Sequence, residues 1–269
     1  MAKQSKFKIW GGVPSFDPKA AGLEVLNYFL LASAVIGAIL GLVVGSLVAI
    51  VGVPDKISTI IGFIIFGAAI LIGSTSYSQA GADETKLLGA IPLDLEHYRR
   101  LGSLVEGISA SIGIEAPNVM LLDELQVNAI SIVGPMRTGT LVITNGALEM
   151  LSRLELESLV ARELVKIRTG EVYYEARLRS FRRIFSRYSP RLLPYSYTRE
   201  MLGRDIAGDI GAVTVTRFPP ALISALIRAN EVVTPRPATA SRRLFAQFWF
   251  IPELDGVTID ERVMEMSEF

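Results

Sequence analysis

Few side chains in this chain are of the types that carry out chemistry. Among its 269 residues there is no cysteine and a single histidine, His97. Disulfide scaffolds, cysteine-based zinc sites, iron–sulfur clusters and cysteine nucleophiles are therefore excluded. A Ser-His-Asp triad would have to use His97 itself, and any metal site would have at most this one imidazole. We expect His97 to lie on the surface of a helix.

Carboxylates are the remaining candidates, and one of them lies next to two cations. Arg162, Glu163 and Lys166 fall within one helical turn, and Asp205 and Asp209 share a face of a later helix. Such paired carboxylates are more often solvated than catalytic. We find no nucleophile elbow and no phosphate-binding loop. The 27 basic and 27 acidic residues balance, so we expect no nucleic-acid partner.

Hydrophobic and turn patterns predict the elements that position these residues. Apolar residues at helical spacing indicate a helix over Leu93–Ile112. Three short runs predict strands at 119–122, 127–133 and 140–144. Ser152, with Glu155 three residues later, is predicted as the N-cap of a helix over Glu155–Arg168, and this helix carries the three charged residues.

This succession of elements resembles the cytoplasmic domain of the HtpX-like membrane zinc peptidases. The resemblance depends on Asn128 and Ala129 in the middle strand, on the Val-Ile-Thr-Asn-Gly run at 142–146 and on the Leu-Ser-x-x-Glu-Leu run at 151–156. It covers about residues 93–171 and 199–264. It implies an α+β fold, in which a mainly helical metallopeptidase-like cytoplasmic domain with a small β-sheet follows a membrane hairpin.

The resemblance also indicates where the chemistry of the family would lie. In that family a helix carries His-Glu-x-x-His and a later helix supplies a glutamate, which together bind zinc. The matching positions here are Arg162, Glu163 and Lys166, then Ala207, with Asp209 where the family keeps a supporting carboxylate. Arginine has no lone pair for a metal, and lysine is normally protonated. The resemblance thus implies a degenerate zinc site, no metal, and a vestigial general base at Glu163.

Two arrangements of the two cations are open at this point. Arg162 and Lys166 could close the former metal cavity by pairing with Glu163 or Asp209. They could equally extend to solvent and pair with nothing in particular.

For function, the resemblance implies a membrane-anchored inactive peptidase homologue that acts as a subunit or adaptor of a membrane protein complex. Family members hold substrate as an added strand, so the strand at Asn128 and Ala129 is a candidate site for a peptide or partner. The protein's own loops could equally cover that edge. The alternative is an active membrane zinc metalloendopeptidase in membrane-protein quality control, with zinc as its cofactor.

The membrane segment is the clearest feature of the composition. Residues 25–82 contain only two charged residues, Asp55 and Lys56. Tyr28–Val51 and Ile57–Tyr77 are each long enough to span about 30 Å of hydrocarbon as a helix, and the short turn between them makes the pair an antiparallel hairpin. We therefore expect an integral membrane protein with the lipid bilayer as one partner.

Charges flanking the hairpin predict its orientation. Lysines precede the first span, and Lys86, Arg99 and Arg100 follow the second, which puts both termini in the cytoplasm. The predicted organisation is a cytoplasmic N-terminal segment at 1–24, the hairpin at 25–82 and the peptidase-type domain at 83–269.

Two further features predict packing or binding surfaces. Gly37, Gly41 and Gly45 recur every four residues, so we expect this face to pack closely against the second span or against another protein. A basic segment at 172–200 interleaves arginines with aromatic residues. There we predict an amphipathic membrane or partner surface, with a solvated arginine face of the domain as the alternative. Its residues are Arg179, Arg182, Arg183, Phe181 and Phe185.

Overall fold

In a computed structural model, the described part of the chain comprises residues 7–10, 13–16, 18–134, 137–185, 196–231, 240–252 and 258–267. The first elements along the chain are β1 (Phe7–Trp10), β2 (Val13–Phe16), α1 (Pro18–Ile50), α2 (Asp55–Ser78), α3 (Glu84–Leu88) and β3 (Ile91–Pro92). The next are α4 (Arg99–Ile112), β4 (Asn118–Leu122), β5 (Ala129–Val133), β6 (Gly139–Thr144), α5 (Asn145–Met150) and α6 (Arg153–Thr169). The last are α7 (Glu171–Phe185), α8 (Ser196–Thr216), α9 (Pro219–Glu231), α10 (Ala240–Phe245) and α11 (Ile259–Ser267).

Helices α1 and α2 form the predicted antiparallel hairpin. The stretches Gly22–Ile50 and Asp55–Ser78 are long and apolar enough to cross a membrane. Their large side chains face outward, as shown by Leu42 at 72% exposure and Phe63 at 71%. Such exposure of apolar surface is unfavourable in water and favourable in lipid. These two helices are therefore candidate membrane spans.

Helix α1 extends further towards the N-terminus than the predicted hairpin boundary at residue 25. Its 33 residues measure about 50 Å at about 1.5 Å per residue, more than the hydrocarbon thickness requires. Near its beginning, Val25 and Phe29 are buried in a cluster with aromatic residues of α7. The part of α1 around Val25 and Phe29 thus belongs to the core of the domain that follows.

The glycine face of α1 packs against α2, which is one of the two alternatives left open by the sequence. A Cβ atom at Gly41 would lie 2.6 Å from the carbonyl oxygen of Gly62, and one at Gly37 would lie 2.7 Å from the Ala69 Cβ. A Cβ at Gly45 would lie 3.2 Å from the Ser58 carbonyl oxygen. The two backbones approach so closely that only glycine fits at Gly41.

We expect Gly41→Val to force the hairpin apart, because its side chain would overlap the backbone of α2. The matched control is Gly67→Val on the other helix, where an added Cβ meets nothing within 4 Å. The measurement is the thermal unfolding midpoint in detergent, which should fall for Gly41→Val and stay close to that of the wild type for Gly67→Val. Equal midpoints for the two variants would show that the glycine contact does not stabilise the hairpin.

A mixed four-stranded sheet of order β3-β4-β6-β5 divides the remaining domain into two layers. Strands β4 and β6 are parallel, and β5 pairs antiparallel with β6 at one edge. Alternate residues of β6 point to opposite faces. Leu141 and Ile143 join a core with α4, α6 and α9, whereas Val142 joins a core with α1, α7 and α10. The predicted α+β class with a small sheet is confirmed.

Helix α7 corrects the prediction for the basic segment. Phe181 and Phe185 are buried and make edge-on ring contacts with Phe29 of α1, at centroid distances of 5.2 and 5.6 Å. Arg179 is also buried, at 2% exposure. These three residues therefore belong to the core and cannot form a membrane or partner surface. The apolar spacing of α7 is real, but its apolar face is covered by α1.

The other residues of the basic segment have a different outcome. Arg183 is exposed, and Arg182 is half-buried with a hydrogen bond to the side-chain oxygen of Gln247 at 3.3 Å. A lipid or partner contact at these two residues stays a prediction. The arginines at 187 and 191 lie outside the described residues, as does the side chain at 199.

Candidate functional site: a buried ion cluster beside the sheet edge

The site is built around α6, whose start agrees with the sequence prediction. Ser152 caps the helix and forms a reciprocal pair of hydrogen bonds with Glu155. The helix packs beneath β5 and against α8 and α9. Arg162, Glu163 and Lys166 point inward and are 1%, 0% and 4% exposed. Charged side chains are this deeply buried only when they are paired.

Glu163 lies at the centre of the cluster and pairs with Arg162 and Lys166 of its own helix. Its Oε1 accepts a hydrogen bond from Arg162 Nη1 at 2.6 Å, and its Oε2 lies 3.7 Å from Lys166 Nζ. The same Oε2 accepts the backbone N–H of Ser131 at 2.7 Å, while the Ser131 hydroxyl donates to the Glu163 carbonyl at 2.8 Å. Both carboxylate oxygens are therefore engaged, and Glu163 joins α6 to β5.

Asp209 on α8 joins Arg162 to the C-terminal helix α11. It accepts hydrogen bonds from Arg162 Nε at 2.9 Å and from two nitrogens of Arg262 at 2.6 and 2.7 Å. Asp205, one turn earlier on α8, accepts from Arg162 Nη2 at 2.7 Å. Arg162 thus donates to three carboxylates. Ala207 lies between them on α8 and is buried.

The ion pairs continue from Lys166 towards the membrane hairpin. Lys166 Nζ lies 3.3 Å from a Glu175 oxygen on α7, and Glu175 also pairs with Arg179. Arg179 in turn pairs at 2.6 Å with Glu84, a few residues after α2 ends. The ion-pair arrangement of Arg162 and Lys166 is therefore confirmed, and their extension to solvent is wrong. We refer to Arg162, Glu163, Lys166, Glu175, Asp205, Asp209 and Arg262 as the buried ion cluster.

Burial and pairing act in opposite directions on the charges of the cluster. Burial alone would lower the pKa of Lys166, but Glu163 and Glu175 outweigh it and raise that pKa. The pKa of Arg162 is raised in the same way by Asp209, Glu163 and Asp205. Burial raises the pKa of Asp205, although Arg162 opposes the rise. Arg162 and Lys166 are therefore held in their charged forms at neutral pH.

A neighbouring carboxylate is destabilised in its charged form. Burial and the nearby Glu175 raise the pKa of Glu171 to about 7, despite the attraction of Arg204 and Lys166. Glu171 is the first residue of α7, and the charges of Arg204, Lys166 and Arg162 act on it. It forms no hydrogen bond or ion pair with Arg162 among the described residues.

The edge of β5 carries the predicted peptide-binding residues, Asn128 and Ala129. A segment of the chain itself, residues 248–251, lies along this edge, and we refer to it as the C-terminal segment. The Phe250 N–H donates to the Ala129 carbonyl at 2.9 Å. Asn128 Oδ1 accepts the Ile251 N–H at 3.0 Å, and its Nδ2 donates to the Ile251 carbonyl at 3.1 Å. Further along the edge, the N–H of Val133 donates to Glu84 at 3.1 Å. A peptide could pair with this edge only after displacing these groups, so β-augmentation here stays a prediction.

Aromatic side chains of the same segment fill the space around the cluster. The guanidinium carbons of Arg162 and Arg262 lie 5.5 and 5.3 Å from the centre of the Phe250 ring. Lys166 Nζ donates to the Phe248 carbonyl at 3.3 Å, and Arg262 donates to the Phe250 carbonyl at 2.7 Å. The cluster is therefore closed from solvent by protein atoms on this side.

The donor set of the cluster does not fit a zinc ion. Zinc in proteins requires lone pairs from neutral imidazole, thiolate or free carboxylate oxygens. Here the inward nitrogens belong to guanidinium and ammonium groups, and the carboxylates of Glu163 and Asp209 already accept hydrogen bonds from them. Within the described residues no group of three His, Asp or Glu side chains is placed to hold a metal ion.

The sequence of the chain is similar to those of several curated proteins that carry one name. A protein of Dictyoglomus thermophilum named "Protease HtpX homolog" is 25% identical over 217 residues, which is 67% of this chain and 70% of the relative. The chain is thus similar to this HtpX homologue over about two thirds of its length. The protein of that name from Thermoanaerobacter pseudethanolicus is 31% identical over 103 residues, 38% of this chain and 34% of the relative. No protein-family model matches the chain.

The HtpX homology and the two apolar helices together support a membrane protein of a peptidase family. The matches of higher identity are short. A Bacteroides fragilis protein with the same name is 33% identical over 84 residues, 31% of this chain and 26% of the relative. The chain thus spans about a third or less of these two relatives, and the activity of a whole HtpX protease does not follow from the similarity.

The structure brings together some predicted residues and separates others. Arg162, Glu163, Lys166 and Asp209 lie in one cluster, as their spacing on two helices predicts. His97 is exposed on a turn beside Tyr98, away from the cluster. The sequence missed the role of Arg262, because its pairing with Asp209 is made across 53 residues. The only sequence signal for this role was that Arg262 directly follows two acidic residues, Asp260 and Glu261.

Proposed function

We propose that this protein is a membrane-anchored, catalytically inactive HtpX homologue that works by binding, as a subunit or adaptor of a membrane protein complex. The observation that carries the proposal is the buried ion cluster. Arg162 and Lys166 occupy the two positions that resemble the family's zinc-binding histidines, and both are buried, charged and paired with carboxylates. In this arrangement Glu163 acts as a structural anion and has no activated water to deprotonate.

The proposal assigns both termini to the cytoplasm, which is supported by the cations flanking the two apolar helices. The chain has no cysteine, so single cysteines can be introduced without a background signal. A cysteine in the turn at Val53 should react with a membrane-impermeant maleimide added outside the cell. A cysteine at Ser103 should react only after the cells are opened, and the reverse pattern would contradict the orientation.

Metal content and proteolysis test the proposed function directly. We expect the full chain, purified in mild detergent, to contain well under about 0.1 zinc per molecule by mass spectrometry of metals and to leave casein intact. The homologue from Dictyoglomus thermophilum, prepared in the same way, serves as the comparison. About one zinc per chain, with casein cleavage that Glu163→Gln abolishes, would establish the alternative of an active zinc metalloendopeptidase.

A partner should be recoverable from the same preparation. Affinity purification in mild detergent is expected to yield a membrane protein in near-stoichiometric amount. A chain that purifies alone under these conditions, and from crosslinked membranes, would contradict a role as a complex subunit.

A further inference from the structure

A large groove on the domain is separate from the buried ion cluster. Its volume is about 1340 Å³, and it lies between α4, the end of α5, the start of α6 and Val215 of α8. Small-molecule pockets are commonly about 300–1,000 Å³. The groove is therefore of a size that suits a segment of polypeptide better than a metabolite.

The floor of the groove is apolar and partly exposed. Leu104, Leu148, Leu156 and Val215 line it, and each is half-buried against the core formed by α4, α6 and α9. This core lies on the sheet face opposite to the one that packs against α1 of the hairpin. The floor of the groove and the helix α1 thus lie on opposite sides of the sheet, which favours a polypeptide over lipid as the occupant of the groove.

Three arginines give the groove its charge. Arg99 and Arg100 occupy the first positions of α4, and Arg153 the first position of α6. The N-terminal end of a helix dipole is positive, as the arginines are. An anionic group that binds there would therefore be attracted both by the arginines and by the helix dipole. No carboxylate of the described residues pairs with any of the three. Glu96 and Glu157 also line the groove, which leaves its balance positive.

One residue of the groove wall points to close approach by an external helix. Gly107 lies inside α4, where glycine costs about 1 kcal/mol relative to alanine. A Cβ atom added there would meet nothing within 4 Å, so no contact within the described protein requires a glycine at this position. An external backbone that lies close against α4 would require it, as small residues do at closely packed helix pairs.

We propose that this groove binds an amphipathic helix of a protein partner, with the partner's apolar face on the leucines and its acidic residues at Arg99, Arg100 and Arg153. This rests on the proposed role as a binding protein and assigns that role a surface. In helix-in-groove binding, apolar residues spaced three and four apart on the bound helix pack into the groove. The arginines fix the direction of the bound helix.

A pair of synthetic peptides of about 20 residues tests the proposal, a length at which a helix is stable enough to form on binding. One carries leucines at helical spacing with glutamates at one end, and the other has lysines in place of the glutamates. Fluorescence anisotropy with the full chain in detergent is expected to show micromolar binding of the acidic peptide. The lysine peptide should bind at least about tenfold more weakly.

Four variants assign that binding to the groove. Gly107→Phe should reduce acidic-peptide affinity about tenfold or more by filling the groove, and Arg99→Glu with Arg100→Glu should do so by reversing its charge. Ala110→Phe, at an exposed residue of the same helix that does not line the groove, and Arg183→Glu, on the other layer, should bind like the wild type. All should unfold at similar temperatures.

Two results would overturn the groove assignment: no binding of the acidic peptide, or binding that Gly107→Phe leaves unchanged. Binding to anionic vesicles that competes with the peptide would assign the groove to lipid instead and would also overturn it. Failure of the proposed function gives a different result, since zinc and casein cleavage are measured without the peptide.

Discussion

Glu163→Gln is expected to destabilise this protein strongly, whereas the same change in a metallopeptidase would mainly abolish catalysis. The substitution keeps the shape of the side chain but removes the charge that faces Arg162 and Lys166, both almost fully buried. Removing one partner of a buried ion pair costs about 3–5 kcal/mol, because the remaining charge stays unsolvated. For a domain of this size the unfolding midpoint should fall on the order of 10 °C.

The control for this measurement is Glu157→Gln on the same helix. Glu157 is half-buried and forms no ion pair with the described residues, so its change should alter the free energy of unfolding by less than about 0.5 kcal/mol. Thermal unfolding of both variants in one detergent gives the comparison. Equal midpoints would mean that Glu163 is not a structural anion, and a function in catalysis would then have to be reconsidered.

The helix that carries this site could be predicted from sequence because its signals are local. The capping pair Ser152 and Glu155 and the spacing of apolar residues fixed its start and its end near Arg168, close to the observed Arg153–Thr169. The three strands were predicted within one or two residues for the same reason. The sheet order β3-β4-β6-β5 was not predicted, since pairing between distant strands leaves little trace in either strand alone.

Helix α7 shows the limit of this reasoning. The amphipathic pattern of this segment correctly indicated one apolar face, which Leu178, Phe181 and Phe185 form. An amphipathic pattern indicates that the apolar face of a helix is covered, but it does not indicate which element covers it. The covering element is α1, more than 140 residues earlier in the chain, and only the tertiary structure reveals that contact. Arg179 was misassigned together with this face, because its partner Glu84 lies 95 residues earlier in the chain.

The site itself was predicted in its members but not in its connections. Two charged residues in a helix interior had two physical solutions, pairing or extension to solvent, and the sequence did not decide between them. Burial decides it. Once β5, α8 and the segment around Phe250 surround α6, a single unpaired charge there would be too costly, so each cation needs a carboxylate within reach. Arg262 and Glu175 complete those pairs from elements that the helix pattern does not connect.

Asp209→Asn is expected to have the second large effect, and its signature should be local to the C-terminal segment. Asp209 holds Arg162 and Arg262 together, and Arg262 donates to the Phe250 carbonyl. Without that carboxylate two buried guanidinium groups lose a shared partner, which should cost about 3–5 kcal/mol. Hydrogen exchange at the amides of Phe250 and Ile251 should become faster, since the helix that supports this segment is released from α8.

Two further variants separate a loss of pairing from a general loss of packing. Among the described residues Asp205 is ion-paired with Arg162 only, and its side chain is 14% exposed, so Asp205→Asn should have a smaller effect. Adding Arg262→Met to Asp209→Asn removes one of the stranded cations. The double variant should therefore be less destabilised than the sum of the two single changes, by at least about 1 kcal/mol. If the two changes in the free energy of unfolding were strictly additive, Asp209 and Arg262 would contribute to stability independently. The ion pair between them would then not be what holds the C-terminal segment across the edge of β5.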